Sequence, residues 1–225
     1  MAVAMLLLVF AGFAPTFFLS YWLEPDPFTS AEPIFYLHGG VLSAWMMLLV
    51  VQPALITLQR AKVHRRLGWW GSGLAVGVVV MGILAGLAAA ARPEGAVNPP
   101  KSLEFLCVMV FGIFVFTLLV GLAIAFRHDS QYHKRFMILA TINLLQPAIV
   151  RTPLHLPGDF GAAETFLLAE VFILPLVVWD LAMLRRIHPA TLWGGLTIVA
   201  SLPFRFWVSE TETWLAIAAW AVGLV

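Results

Sequence analysis

Imidazole, carboxylate and guanidinium side chains lie inside stretches of this sequence that are otherwise apolar enough to sit in hydrocarbon. His38, Trp45 and Gln52 fall seven residues apart within the run 35–68. Two heptads drift only about 40° around a helix, so the three form one polar stripe running from the outer end of that helix toward its middle. At 1.5 Å per residue, His38 lies about 8 Å below that end. Glu104 and Glu164 open two later apolar stretches, Glu170 lies about two turns inside the second, and Arg151, His155 and Arg205 end or follow others. Ionisable groups at such depth are costly and mark ligand, proton or cofactor sites. A lone deep carboxylate protonates or finds a partner. Gln52 and Gln146 each precede a proline, which frees the carbonyl four residues back, here at Leu49 and Asn143. A neighbouring amide can satisfy such a carbonyl. One reading is therefore local: two kinks with their partners, and ion pairs among Glu104, Glu164 and Arg205 that tie helix ends together. The sharper reading is that the kinks open a cavity lined by His38, Trp45, Gln52, Asn143 and Gln146, with Arg151, His155 and Glu170 on its outer side.

Such a set suits a hydrophobic small molecule or a redox cofactor, haem b or quinone. Haem needs an axial histidine, and His38 is the only histidine well inside an apolar stretch. His155 is the candidate second metal ligand, folding back from the outer loop. His64 and His133 each open a helix at the opposite edge and form a second candidate pair. Cys107 is the single cysteine, so no intramolecular disulfide or thiolate cage forms. There is no Ser-centred elbow, no H-E-x-x-H and no H-x-x-x-H, and whether the protein is an enzyme stays open. Lys62, Lys101 and Lys134 lie in or beside loops, leaving no buried amine for a retinal Schiff base. Two alternatives stand beside cofactor binding. One is a non-catalytic accessory or assembly subunit of a larger membrane complex. The other is a small proton-coupled transporter with Glu170 and His38 as its relay, although such proteins show longer chains and clear inverted repeats.

These residues must be positioned by membrane helices. The 225 residues are 61% hydrophobic and 11% charged, with mean hydropathy +0.94. Soluble domains carry about 25% charged residues. A net charge of +1 offers no basic surface for nucleic acid. The first apolar run has no basic region before it and no clear cleavage signature, so it reads as a retained span. Runs at 2–23, 33–59, 67–91, 103–126, 134–152, 163–184 and 190–207 reach the length of a crossing. A last piece, 213–225, is too short. The expectation is an all-α polytopic transmembrane bundle: about seven spans plus a partial C-terminal helix, in one membrane domain over 1–225. Lys and Arg gather at 60–66, 127–135 and 185–186. The alternating loops carry Glu24, Asp26 and Glu32; Arg92, Glu94 and Lys101; Asp159; and Glu210 and Glu212. Basic loops stay cytoplasmic, which puts the N-terminus there too. Asp180 is expected to pair with Arg185 and Arg186 at that edge, where His64, His128, His133 and His188 meet headgroups.

Two echoes run through the chain. Val63-His64-Arg65-Arg66-Leu67 parallels Tyr132-His133-Lys134-Arg135-Phe136, and Gln52-Pro53-Ala54-Leu55 parallels Gln146-Pro147-Ala148-Ile149. Their different spacings define no single repeat. Gly73/Gly77 and Gly82/Gly86 are small-xxx-small pairs suited to close helix packing.

Gly12-Phe13 with Pro15-Thr16, His38 through Trp45 to Gln52, Val63-His64-Arg65-Arg66-Leu67-Gly68, His133-Lys134-Arg135-Phe136-Met137 and Arg151 carry a resemblance over most of 1–152. Together they resemble an uncharacterised family of bacterial polytopic membrane proteins. The resemblance implies a multi-pass protein of the bacterial inner membrane. Its partners would be the lipid bilayer, a hydrophobic small molecule or cofactor, and a membrane-protein partner or second copy. The His-Arg-x-Leu-Gly element is also, more weakly, similar to transmembrane b-type cytochromes.

Overall fold

The computed structural model describes residues 1–23, 33–92, 102–152 and 162–224. Among them there are helices and turns and no strand. His155, the Glu164 side chain, and the loop residues Glu24, Asp26, Glu32, Glu94, Lys101 and Asp159 lie outside the described residues. The chain forms two compact units, Met1–Met81 with Pro147–His155 and Gly82–Gln146 with Leu156–Val225.

Four apolar stretches are helical over a length that can cross a membrane: Pro33–Thr57, Ala61–Ala90, Leu103–Ala125 and Phe166–Leu184. Burial among the described residues is inverted relative to a water-soluble protein. Trp69 and Trp70 are 72% and 76% exposed, whereas Arg135 and Arg205 are 1% and 0% exposed. Apolar rings outside and guanidinium groups inside suit hydrocarbon as the surrounding solvent.

In the first unit, α1 (Ala2–Phe13) leads into a π-helical turn, Ala14–Phe18, and a short α2 (Ser20–Leu23). The first expected span is thus not one straight helix. Pro15 has no N–H to donate, and the wider turn closes instead with the Leu19 N–H on the Ala14 carbonyl at 2.7 Å. α3 (Pro33–Thr57) begins on a proline, whose missing donor is harmless at that position. It turns through Gln59, at φ 57°, into α4 (Ala61–Ala90). The helix starts six residues earlier than its apolar run because Lys62, Arg65 and Arg66 are good helix formers. α1 packs on α3, and Gly12 touches backbone: a Cβ there would lie 2.2 Å from the Ala148 carbonyl oxygen.

In the second unit, α5 (Ser102–Ala125) is the central element, packed by α6 (Ser130–Ile142), α10 (Pro189–Ser209) and α11 (Glu212–Val222). α8 (Ala162–Glu170) packs on α10 and continues through a 3₁₀ turn at Val171–Ile173 into α9 (Leu174–Leu184). The expected span 134–152 is broken. α6 ends at Ile142, the Leu144 and Leu145 N–H groups close tighter turns on Thr141 and Ile142, and α7 (Gln146–Arg151) restarts the helix. Pro147 leaves the Asn143 carbonyl without its helical donor, which explains a full break in place of the expected kink. Of the two glycine pairs, Gly82 and Gly86 face Ile113, Leu106 and Met109 of α5 closely, Gly77 has only Val41 at 3.6 Å, and nothing lies within 4 Å of Gly73.

The Gly12 contact is with backbone that cannot rotate away. Gly12→Ala therefore destabilises by about 1–3 kcal/mol through overpacking, while Gly73→Ala changes thermal stability little. Thermal melts of both variants in detergent check this, and equal melting temperatures would contradict it.

Candidate functional site

The first unit holds one set of buried polar groups and the second unit holds two, and each set solves the problem of polarity without water in a different way. In the first unit, His38, Trp45 and Gln52 follow one another along α3. Trp45 is buried at 2% exposure and His38 is half-buried. His38 Nδ1 lies 3.3 Å from the Met81 carbonyl oxygen on α4. A carbonyl only accepts, so Nδ1 carries the proton, and in the neutral imidazole Nε2 keeps its lone pair. His64 is held the same way, with Nδ1 3.3 Å from the Gln52 carbonyl oxygen. The buried Oε1 of Gln52 has no hydrogen-bond partner. The amide packs beside Gly68, where a Cβ would be in ordinary contact with Nε2 at 3.7 Å. Arg151 lies with its guanidinium 5.1 Å from the centre of the Phe13 ring and donates through Nη1 to the Pro147 carbonyl at 3.1 Å. Among the described residues it is held by a cation–π contact and its own helix.

In the second unit the organising group is Arg205, fully buried on α10. Its Nη2 donates to Asn143 Oδ1 and to Ser201 Oγ, both at 2.8 Å, and Nη1 reaches Gln146 Oε1 at 3.5 Å. Gln146 Nε2 in turn donates to Glu170 Oε1 at 3.1 Å. A guanidinium only donates and a carboxylate accepts, so the amide between them has one orientation. Asn143 Nδ2 donates to the Gly112 carbonyl at 2.8 Å. Gly112 lets the guanidinium lie close, since a Cβ would stand 3.2 Å from Arg205 Nη1 and push it back by a few tenths of an ångström. Cys107 donates weakly through Sγ to the Arg205 carbonyl. Two buried atoms of the network, Glu170 Oε2 and Arg205 Nε, have no hydrogen-bond partner among the described residues.

The same unit holds a second, fully satisfied cluster. Arg135 pairs with Asp180 through Nε and Nη2 onto Oδ1. Asp180 Oδ2 accepts from the His188 N–H at 3.0 Å and from the Thr191 hydroxyl at 2.6 Å. Asp180 is thus paired with Arg135, not with Arg185 and Arg186 as the sequence suggested. Arg185 sits in a left-handed cap at φ 57° that ends α9, and it is exposed. Breaking such a buried pair by removing one partner costs about 3–5 kcal/mol, while replacing both with apolar groups is often neutral. The cluster is therefore a lock on the fold. On the same helix as Arg135, His133 has Nδ1 2.8 Å from the Ala123 carbonyl oxygen, so a ring nitrogen is again held on a carbonyl, as in His38 and His64.

The predicted residues thus fall into two groups. Asn143, Gln146 and Glu170 are brought together around Arg205, while His38, Trp45, Gln52 and Arg151 belong to the first unit. Sequence reasoning placed Arg205 in an ion pair; its acceptors are neutral, and Ser201, Gly112 and Cys107 were missed. Pro203 after Ser201, and an arginine one turn beyond that serine, are the only local signals. Among the described residues no three His, Cys, Asp or Glu side chains gather into a metal-binding group. Haem brings four ring nitrogens of its own and asks the protein for axial ligands alone.

His188 caps α10, its Nδ1 accepting the Ala190 N–H at 3.1 Å, and its ring stands edge-on to Tyr132. Burial first, then the Arg135 guanidinium, holds this imidazole below its ordinary value, against the pull of Asp180 and Asp129. The folded state therefore resists the proton that the unfolded chain accepts at about pH 6.5. The stability from this cap is present above that pH and is lost as pH falls through the lower folded value. His188→Asn keeps a capping acceptor without the titration. Melts at pH 7.5 and 5.5 should show a larger acid-induced drop in the wild type than in that variant. Parallel drops would remove His188 as the cause.

Compared with protein-family models, curated proteins and solved structures, the chain matches none of them.

Proposed function

We propose that this chain is a multi-pass protein of the bacterial inner membrane that binds a hydrophobic redox cofactor, haem b or quinone, through His38. The membrane reading extends the four apolar helices to about seven crossings with a cytoplasmic N-terminus. It is supported by the gathering of Lys and Arg at 60–66, 127–135 and 185–186.

The observation that carries the cofactor reading is the orientation of His38. With Nδ1–H held by the Met81 carbonyl, Nε2 presents a lone pair in a fixed direction. Metal-ligating histidines are prepared in this way, the second nitrogen donating to a carbonyl or carboxylate to fix the tautomer and raise basicity. The same lone pair would accept a quinol hydroxyl. In the same unit Arg151, with no carboxylate partner among the described residues, supplies a cation for a haem propionate. His64 and His133, each fixed on a carbonyl of its own, are further candidate ligands. A second reading, proton-coupled transport, draws support from Oε2 of Glu170, which has no hydrogen-bond partner among the described residues. A buried carboxylate oxygen with no donor is where a proton would be loaded.

The test is an optical spectrum of the purified protein, followed by titration with haem b and with a short-chain quinone read by tryptophan quenching. One of the two ligands should bind, with a Soret band in the case of haem. His38→Ala should weaken it at least tenfold, about 1.4 kcal/mol or more, and His188→Ala should leave it unchanged. No binding of either ligand, or equal weakening by both variants, would overturn the reading.

A further inference from the structure

α3 and α4 lie side by side in the first unit, and between them runs an open apolar groove of about 340 Å³. Its walls repeat at helical spacing. Ala44, Leu48 and Val51 line it from α3, and Leu67, Trp70 and Gly71 from α4. The groove spans about seven residues of each helix, or roughly 10 Å. Gly71 brings its floor close to the opposite helix, because a Cβ there would be 2.7 Å from Leu48 Cδ2. The volume is at the low end of the ligand-pocket range of about 300–1,000 Å³. Apart from the indole N–H of Trp70, the lining side chains are apolar. The shape and chemistry fit one hydrocarbon chain.

What lies at the end of the groove decides which chain. Lys62, Arg66 and Trp70 follow one another at four-residue steps along α4, which places them on one side of the helix. Trp70 is a groove wall, so the two cations continue that wall past Leu67 to the edge of the hydrocarbon. Lys62, Arg65 and Arg66 are exposed. Exposed Trp69 and Trp70 beside them are the side chains that settle at a headgroup boundary. A second copy of this chain, docked by a two-fold axis, would set these like charges against one another. A phospholipid with an anionic headgroup satisfies both ends.

We propose that the α3–α4 groove is a binding site for an anionic phospholipid, with one acyl chain along Ala44, Leu48 and Gly71 and the headgroup phosphate on Lys62 and Arg66. The site is independent of the cofactor reading, since none of these residues takes part in it.

Native mass spectrometry of the full chain, released from micelles containing equal amounts of phosphatidylglycerol and phosphatidylcholine with matched chains, tests the proposal. The wild type should retain one phosphatidylglycerol in at least tenfold preference. Lys62→Gln with Arg66→Gln should abolish the preference while leaving some of either lipid bound. Ala44→Trp should fill the groove and remove retained lipid of both kinds, and Ala44→Leu should remove it partly. Thermal melts identify a variant that fails to fold, in which case the milder Ala44→Leu decides. Equal retention of the two lipids by the wild type, retention unaffected by filling the groove, or a dimer in place of the lipid adduct would overturn the proposal.

Discussion

A polar group removed from water must find its partner within the protein, and in a chain this apolar that requirement governs which structures exist. The expense is greatest for Arg205, fully buried on a helix of the second unit. Its charge is not met by a contacting carboxylate. Asn143, Ser201 and Gln146 surround it with neutral acceptors, and the glutamine passes the interaction on to Glu170. An unpaired buried guanidinium loses far more than a neutral group does, so each acceptor is held by what surrounds it. Asn143 is anchored to the Gly112 carbonyl, and Gly112 itself lets the guanidinium lie close. The helix break before Pro147 follows from the same demand. It frees Asn143 and Gln146 from a regular helical register to face one arginine.

Arg135 and Asp180 answer the requirement in the opposite way, by direct pairing with every remaining lone pair of the carboxylate engaged. The histidines follow a third route. His38, His64 and His133 each give Nδ1 to a carbonyl 43, 12 and 10 residues away in sequence. That bond satisfies one nitrogen of each ring. The orientation of His38, rather than any cluster of ligating residues, is what the proposed cofactor site rests on.

The apolar helices were legible because length and hydropathy act locally, and four stretches form helices long enough to cross a membrane. The special status of His38, Gln146 and Glu170 was legible because a polar residue in an apolar run has few tolerable explanations. The partners were not. Asp180 was assigned to Arg185 and Arg186, its sequence neighbours, whereas Arg135 is 45 residues away and nothing in periodicity selects it. Pro147 was expected to bend a helix and ends in a break because neighbouring packing decides how a lost N–H is accommodated; the π-helical turn at Pro15 was not foreseen. The His64 and His133 echo was visible as a motif. That both rings turn Nδ1 to a carbonyl depends on the position of the preceding helix, which the motif does not encode.

The central claim is that His38 is held as the Nδ1–H tautomer with Nε2 free to coordinate or accept. Nitrogen-15 NMR of histidine-labelled protein in lipid reads this directly, since protonated and bare ring nitrogens resonate far apart. The account predicts a protonated Nδ1 and a bare Nε2 for the resonance that disappears in His38→Ala. A protonated Nε2 on that ring would contradict it.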